Sequence, residues 1–342
     1  MNPLTPFGKL YGRVMGLRNL LYDRDVLKSY DLGARTISVG NLTTGGTGKT
    51  PLVALIAKLL INDGETVCIL TRGYGRRHPR SRVLVSDGSN ILADAETGGD
   101  EPVELAHRLD GKAIIVADPD RVAAAIWARE KFRITTFILD DGFQHRRARR
   151  DLDIVCIDAT DPCGNGLIIP AGTLRESFKS LNRADSIVIT RTDLVDSTTD
   201  LEQRVRRWNS SAPIFKARTE LRGLVTLEDF RTGSWDLRMP IDKLFAFTAI
   251  GNSDNFLRTL ADAESAIVGT RTFRDHHRFT QAEIREVEQE AIEQRAAALV
   301  TTAKDAVKLH RLNRQLPCYV AIANTAIADG VAFRKLVQGN VR

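Results

Sequence analysis

Of the 342 residues only four are cysteine, Cys68, Cys156, Cys163 and Cys318. None sits in a CxxC pair or at zinc spacing from a histidine, so neither a disulfide framework nor a structural metal is indicated, and a reducing cytoplasm is the expected compartment. No apolar run is long enough to span a bilayer, and the N-terminus lacks the uninterrupted apolar core of a signal peptide. The chain is therefore not expected to cross a membrane by itself. Internal repeats and low-complexity linkers are also missing. What remains is ordinary for a soluble globular protein, with 43% hydrophobic and 27% charged residues, and the length predicts one large or two medium domains. A net charge of +6 and a pI near 9.2 favour anionic partners without choosing among nucleotides, phospholipid surfaces and nucleic acid.

One stretch organises the rest, Thr36-Ile-Ser-Val-Gly-Asn-Leu-Thr-Thr-Gly-Gly-Thr-Gly-Lys-Thr-Pro-Leu-Val53. It reads as a buried strand, a loop with three glycines in four residues, and a helix with Leu52, Ile56, Leu59 and Leu60 at helical spacing. Glycines let backbone N–H groups turn toward an anion, and the helix N-terminus adds partial positive charge. Thr44, Gly45, Gly46, Thr47, Gly48, Lys49 and Thr50 are the expected nucleotide-binding residues, with Lys49 on the β- and γ-phosphates and Thr50 on Mg²⁺. Thr43 stands where the strict pattern has glycine, so the match is to the second half. The strand–loop–helix context favours a phosphate cradle over a glycine-rich surface turn, and ATP is the expected ligand.

Residues 4 to 28 carry an apolar stripe, Leu10, Val14, Leu17 and Leu21, with Arg13 and Arg18 on its flanks and Gly8, Gly12 and Asn19 opposite. That pattern fits a helix lying in a membrane interface, and equally a helix docked on the protein's own core. Thr66–Leu70 reads as a strand leading into the basic turn Thr71-Arg-Gly-Tyr-Gly-Arg-Arg77, which suits a phosphorylated ligand or is a solvated turn. Asp100 and Glu101, at a glycine-loosened helix start, are caps or a general base and a metal ligand. The strand from Ile134 ends in Asp140 and Asp141, the arrangement in which a carboxylate beside a phosphate loop holds Mg²⁺. Alternating strands and helices imply right-handed βαβ units and a mostly parallel sheet. Thr190-Arg-Thr-Asp193 is similar to the base-reading motif of GTP-binding proteins, but Arg191 replaces its lysine, and it is read as a strand end. From about residue 217 the texture restarts as a second α/β unit with a helix to about Asp262, a long helix over Gln281–Arg295 and a last strand over 318–323.

In order along the chain, Ser38–Pro51, Thr71–Arg76, Gly99–Pro102, Leu139-Asp-Asp-Gly-Phe-Gln-His145, Pro170–Glu176, Phe273–His276 and Thr301–Asp305 resemble the tetraacyldisaccharide 4'-kinase (lipid A 4'-kinase) family. The resemblance spans nearly the whole chain. It implies a P-loop NTPase-like α/β fold, a mostly parallel sheet flanked by helices, with a second smaller α/β domain and an N-terminal amphipathic helix. The expected domains are a membrane-interface segment 1–35, a kinase core 36–216, and a domain 217–342 closing over the cleft. The implied reaction moves the ATP γ-phosphate to the 4'-hydroxyl of a lipid A disaccharide precursor, tetraacyldisaccharide 1-phosphate, at the cytoplasmic face of the bacterial inner membrane. The protein would be peripheral or monotopic there, on an anionic membrane surface.

Residue by residue, the resemblance implies Asp100 as base paired with His276, and Thr50, Glu101, Asp140 and Asp141 around Mg²⁺. It places Tyr74, Arg121, Gln144, His145 and Arg175 along the substrate cleft. His78, His107 and His310 are read as structural, and His277 as a weaker candidate than His276. Ala303 and Ser253 depart from the family's usual Glu and Pro. Two other classes compete. A membrane-partitioning ATPase shares the glycine loop but relies on a lysine where this chain has Thr44. A nucleic-acid-binding ATPase is encouraged by Arg146-Arg-Ala-Arg-Arg150, but no recognition module surrounds that run, and nucleic acid is not an expected partner.

Overall fold

The computed structural model describes residues 2–233, 235–237, 243–261 and 266–339. The chain divides into two compact units, Met1–Arg72 with Asp120–Arg218 and Thr325–Arg342, and Gly73–Pro119 with Thr219–Asn324. A single cut near residue 216 does not describe this division, because the chain also crosses after Arg72, Pro119 and Asn324.

In chain order the first unit opens with α1 (Thr5–Asp23), β1 (Arg35–Asn41), α2 (Lys49–Asn62) and β2 (Val67–Thr71). The second unit takes β3 (Val83–Asp87), α3 (Ala95–Gly98), α4 (Asp100–Arg108) and β4 (Ile114–Ala117). The chain then returns through α5 (Arg121–Lys131), β5 (Thr136–Asp140), β6 (Leu152–Asp158), β7 (Ser186–Thr190), α6 (Thr199–Arg206) and the start of β8 (Ile214–Thr226). The second unit continues with α7 (Leu227–Thr232), β9 (Leu244–Thr248), α8 (Ser253–Ala261), β10 (Ile267–Thr272), α9 (Gln281–Glu293), β11 (Ala298–Thr302), α10 (Ala303–Ala306) and β12 (Cys318–Ile327). α11 (Gly330–Gln338) closes the first unit. The expected helix end at Asp262 lies outside the described residues. β3, β8 and α11 were not expected.

In the first unit the strands run β8-β7-β6-β1-β5-β2, and neighbours in this order pair in parallel. Its strands are apolar because helices cover both faces of such a sheet: Ile37, Val39, Ile138, Leu139, Ile154 and Val155 are all fully buried. α2 adds Leu52, Ile56 and Leu60, also fully buried, each worth about 1.5–3 kcal/mol of apolar burial. Parallel pairing sets Val39 beside Asp140, so the carboxyl ends of β1 and β5, where ligands bind in this architecture, end together. The second unit has the parallel order β10-β9-β11-β12 and an antiparallel β3–β4 pair.

α1 presents its stripe outward: Leu10, Val14 and Leu17 are 60%, 56% and 58% exposed. The opposite face docks closely, since a Cβ on Gly8 would stand 2.5 Å from the Ile168 carbonyl oxygen and one on Gly12 2.8 Å from the Ile168 Cδ1. Asn19 donates to Glu176 Oε2 at 2.6 Å, and Arg18 donates to the Gln144 carbonyl at 3.0 Å. No helix among the described residues is long and apolar enough to cross a membrane.

Two half-buried histidines make the fold sensitive to acid. His107 stacks on Phe230 with ring centroids 5.0 Å apart, and burial pushes it down to about 4. His145 falls to about 4 through burial and the nearby Arg121 and Arg150 charges. Because these folded values lie below the unfolded one, the unfolded chain binds more protons as pH falls from about 6.5 toward 4, and stability is lost across that window. His107→Gln is expected to show a smaller drop in urea midpoint between pH 7 and pH 5 than the parent; an equal drop would acquit His107.

Candidate active site

The first cluster is built on the carboxyl ends of β1 and β5. Gly45 has φ +107 and Gly48, which precedes α2, has φ +78, so the loop takes turns that side chains resist. A Cβ on Gly45 or Gly46 would meet nothing within 4 Å among the described residues, so they leave that face of the loop open. Behind it, Gly142 donates its N–H to the Val39 carbonyl at 3.0 Å, and Gln144 donates from Nε2 to the Asn41 carbonyl at 3.0 Å. These bonds fold the 142–145 turn back against the end of β1.

Asp141 sits in the left-handed region with φ 55. Its Oδ1 lies 3.6 Å from Lys49 Nζ, and Arg175 Nη1 donates to its Oδ2 at 2.6 Å. Burial alone would raise this carboxyl, but the cations of Lys49, Arg175 and Arg121 outweigh it and hold Asp141 below the usual carboxylate range. Asp140 is 3% exposed and accepts from Thr71 Oγ1 at 2.9 Å. His145 is neutral near pH 7 by its lowered pKa, so it offers a polar ring rather than a cation.

The second cluster belongs to the other unit. Gly99 takes φ 95 and ψ 149, where an added Cβ would stand 3.0 Å from the Tyr74 carbonyl oxygen. That turn starts α4 at Asp100, whose carboxylate is not a conventional cap. Oδ1 accepts the Glu101 N–H at 3.0 Å, and Oδ2 meets His276 Nδ1 at 2.7 Å. His276 has φ 60 and lies with its ring centroid 5.1 Å from that of Tyr74.

Lys304 completes the cluster. Its Nζ is 3.4 Å from Glu101 Oε1, 3.1 Å from Asp275 Oδ1 and 3.2 Å from His276 Nε2. An ammonium has only donors, so Nε2 accepts and the ring proton sits on Nδ1, donated to Asp100. Asp100, against its burial, is kept below the carboxylate range by His276, Lys304 and Lys308. His276 is raised chiefly by its bond to Asp100, against burial and the Lys304 charge. Lys304 is raised by Glu101, Asp100 and Asp275 despite burial.

The expected residues thus fall in two groups. Thr44–Thr50, Asp140, Asp141, Arg121, Gln144, His145 and Arg175 are in the first unit, and Tyr74, Asp100, Glu101 and His276 in the second. Lys304 is the contributor that sequence reasoning missed, although its Thr-Thr-Ala-Lys-Asp run was in view. Ala303 does not disturb that run: Thr302 caps α10 by accepting the Asp305 N–H at 3.1 Å, and Asp305 accepts from Thr248 Oγ1 at 2.8 Å. Ser253 opens α8, and Asn252 caps that turn by accepting the Asn255 N–H at 3.1 Å. His277 bonds Glu283 at 2.9 Å and stacks on Phe273 at 5.0 Å, a structural placement.

A parallel sheet with a glycine loop running from β1 into α2, Lys49 at the helix start and paired aspartates ending β5 defines a P-loop NTPase-like protein. A model of the tetraacyldisaccharide-1-P 4'-kinases matches residues 2–341, and the chain belongs to that family. The tetraacyldisaccharide 4'-kinase of Syntrophus aciditrophicus is 38% identical over 332 residues, 93% of this chain and 87% of that protein. The Desulfotalea psychrophila enzyme is 37% identical over 330 residues, 94% and 92% of the two chains. A crystal structure of the family member from Aquifex aeolicus in complex with ATP superposes with a TM-score of 0.77 at 31% identity, covering 98% of each chain.

Proposed function

We propose that this chain transfers the γ-phosphate of ATP to the 4'-hydroxyl of tetraacyldisaccharide 1-phosphate, a step of lipid A biosynthesis. The observation that carries the reading is the ionised Asp100 bonded to His276 at 2.7 Å, within a chain of this family. The residues fit magnesium and nucleotide. Thr50, Asp140, Asp141 and Glu101 offer only oxygen donors, the set a hard cation takes, and Asp141 Oδ1 is a buried acceptor with no hydrogen-bond donor among the described residues. Bound MgATP supplies the phosphoryl group and a divalent charge that offsets its negative oxygens.

The chain's own groups do the rest. The amides of Gly45–Gly48 and the Lys49 ammonium would neutralise phosphate charge; Thr50, Asp140 and Asp141 would hold the metal, and Glu101 offers a further carboxylate. Asp100 accepts the hydroxyl proton, and His276 orients the carboxylate and stabilises it as the proton arrives. Arg121, Gln144, His145 and Arg175 in the first unit, and Tyr74 in the second, offer the polar and aromatic groups for the sugar-phosphate. The outward stripe of α1, with Lys9, Arg13 and Arg18 near it, lies on the anionic cytoplasmic face of the inner membrane as a peripheral contact. Nucleic acid is not a partner in this reading: Arg146 is paired with Asp23, Arg147 with Asp120 and Arg150 with Asp153.

Transfer of γ-labelled phosphate from MgATP to tetraacyldisaccharide 1-phosphate in detergent tests the reaction, with EDTA and omission of the chain as blanks. Labelled lipid is expected; ATP hydrolysis without labelled lipid would refute the kinase reading. For the membrane contact, Leu10→Ser with Leu17→Ser is expected to lower the vesicle-bound fraction at least about tenfold, the scale of two inserted leucines. Partition equal to the parent's would dismiss it.

A further inference from the structure

The Thr190-Arg191 strand end plays no part in the mechanism so far, yet its side chains run to the phosphate loop. Arg191 Nη2 donates to the Gly46 carbonyl at 2.7 Å, and Thr190 Oγ1 donates to the next carbonyl, that of Thr47, at 2.9 Å. The guanidinium is anchored from behind by Asp158 Oδ2. That carboxylate is itself fixed, its Oδ1 accepting the Thr160 hydroxyl at 2.7 Å and the Thr160 N–H at 3.0 Å. Arg191 and Asp158 are 8% and 6% exposed. A buried ion pair of this kind is weak evidence for stability by itself. Arg191 also holds φ 57 and ψ 38, a conformation a side-chain-bearing residue adopts at a cost and keeps where its surroundings demand it.

We propose that Arg191 and Thr190, braced by Asp158, are positioning residues that aim the amides of the phosphate loop. The reason is peptide planarity. In a trans peptide the C=O and the following N–H point in opposite directions. Fastening the Gly46 and Thr47 carbonyls toward β7 therefore turns the Thr47 and Gly48 N–H groups the other way, toward the side where an anion is cradled. The arginine acts on the triphosphate through the loop backbone and does not read the base. Its role rests on the nucleotide reading above, and it predicts that any linear triphosphate feels the loss.

Arg191→Met, Arg191→Lys and Thr190→Val are compared with the parent for binding of MgATP and of inorganic tripolyphosphate, for kinetics, and for hydrogen exchange of the amides of 44–48 without nucleotide. Arg191→Met is expected to raise the dissociation constant of both ligands about tenfold or more, the scale of one charge-assisted hydrogen bond, while KM for the lipid acceptor stays within about twofold. Thr190→Val, which keeps the strand's shape, is expected to weaken both severalfold, and Arg191→Lys to recover part of the loss because one ammonium cannot serve Asp158 and Gly46 with a planar fork. Exchange in the loop rises in the same order. A folded Arg191→Met with unchanged exchange overturns the proposal, as does weakening toward ATP alone, which would make Arg191 a reader of the nucleoside. If Arg191→Met fails to fold, Thr190→Val decides by the same two readouts. A parent chain that binds neither triphosphate defeats the nucleotide reading, whereas the exchange result still scores the clamp.

Discussion

Asp100→Asn is expected to lower turnover at least about a hundredfold, the usual range for a general base, with MgATP affinity within a few-fold of the parent. The substitution keeps the shape and removes the proton acceptor. It also creates a mismatch whichever way the amide turns. With its oxygen toward His276 Nδ1, its NH₂ faces the Glu101 N–H that Asp100 Oδ1 now accepts at 3.0 Å; turned over, the NH₂ faces the imidazole instead. One unpaired donor costs about 1–3 kcal/mol, so some loss of stability is expected, and urea unfolding separates it from the catalytic defect. A folded variant turning over within tenfold of the parent would remove Asp100 from the base role.

Lys304→Met is expected to move the pH profile of the reaction and to cost a modest amount of stability. Removing the ammonium leaves Glu101 and Asp275 without the cation now 3.4 and 3.1 Å away; both carboxylates reach water, which screens the loss to about 1 kcal/mol. The same charge restrains protonation of His276, whose Nε2 it faces. Asp100 and Asp275 pull the other way, with Tyr74 as an uncharged neighbour. Without Lys304 the folded pKa of His276 rises further, so imidazolium persists to higher pH and the acid limb of kcat/KM moves upward. Lys304→Arg keeps the charge and is expected to hold the limb near the parent position. A limb that stays put in a folded Lys304→Met would reduce Lys304 to scaffolding.

The glycine loop was legible because strand, loop and helix follow one another within twenty residues and each leaves a local mark: Ile37 and Val39, three glycines, then Leu52 and Ile56. The acidic end of β5 was legible for the same reason. The meeting of Asp100, His276 and Lys304 was not, since 176 residues separate the first two and only folding unites them; the family resemblance named the first two positions and passed over the third. β8 went unseen because its early alternation, with Phe215 and Ala217 buried, falls on the expected domain boundary. β3 is a short, half-buried strand with an irregular register against β4, too weak a pattern to stand out. The units escaped a linear reading because residues 73–119 belong to a unit whose other residues all follow position 218.

The glycine face of α1 has a mechanical consequence. Gly8 and Gly12 lie against Ile168, Asn19 bonds Glu176 and Arg18 bonds the Gln144 carbonyl, so the helix is fastened along its length to the segments that carry Gln144 and Arg175. On a bilayer such a helix is a levelling foot rather than a swinging tether. In the proposed membrane contact it would set one height and one tilt for Gln144 and Arg175 above the headgroups, and a disaccharide whose tails stay in the lipid would arrive at that height whatever their length.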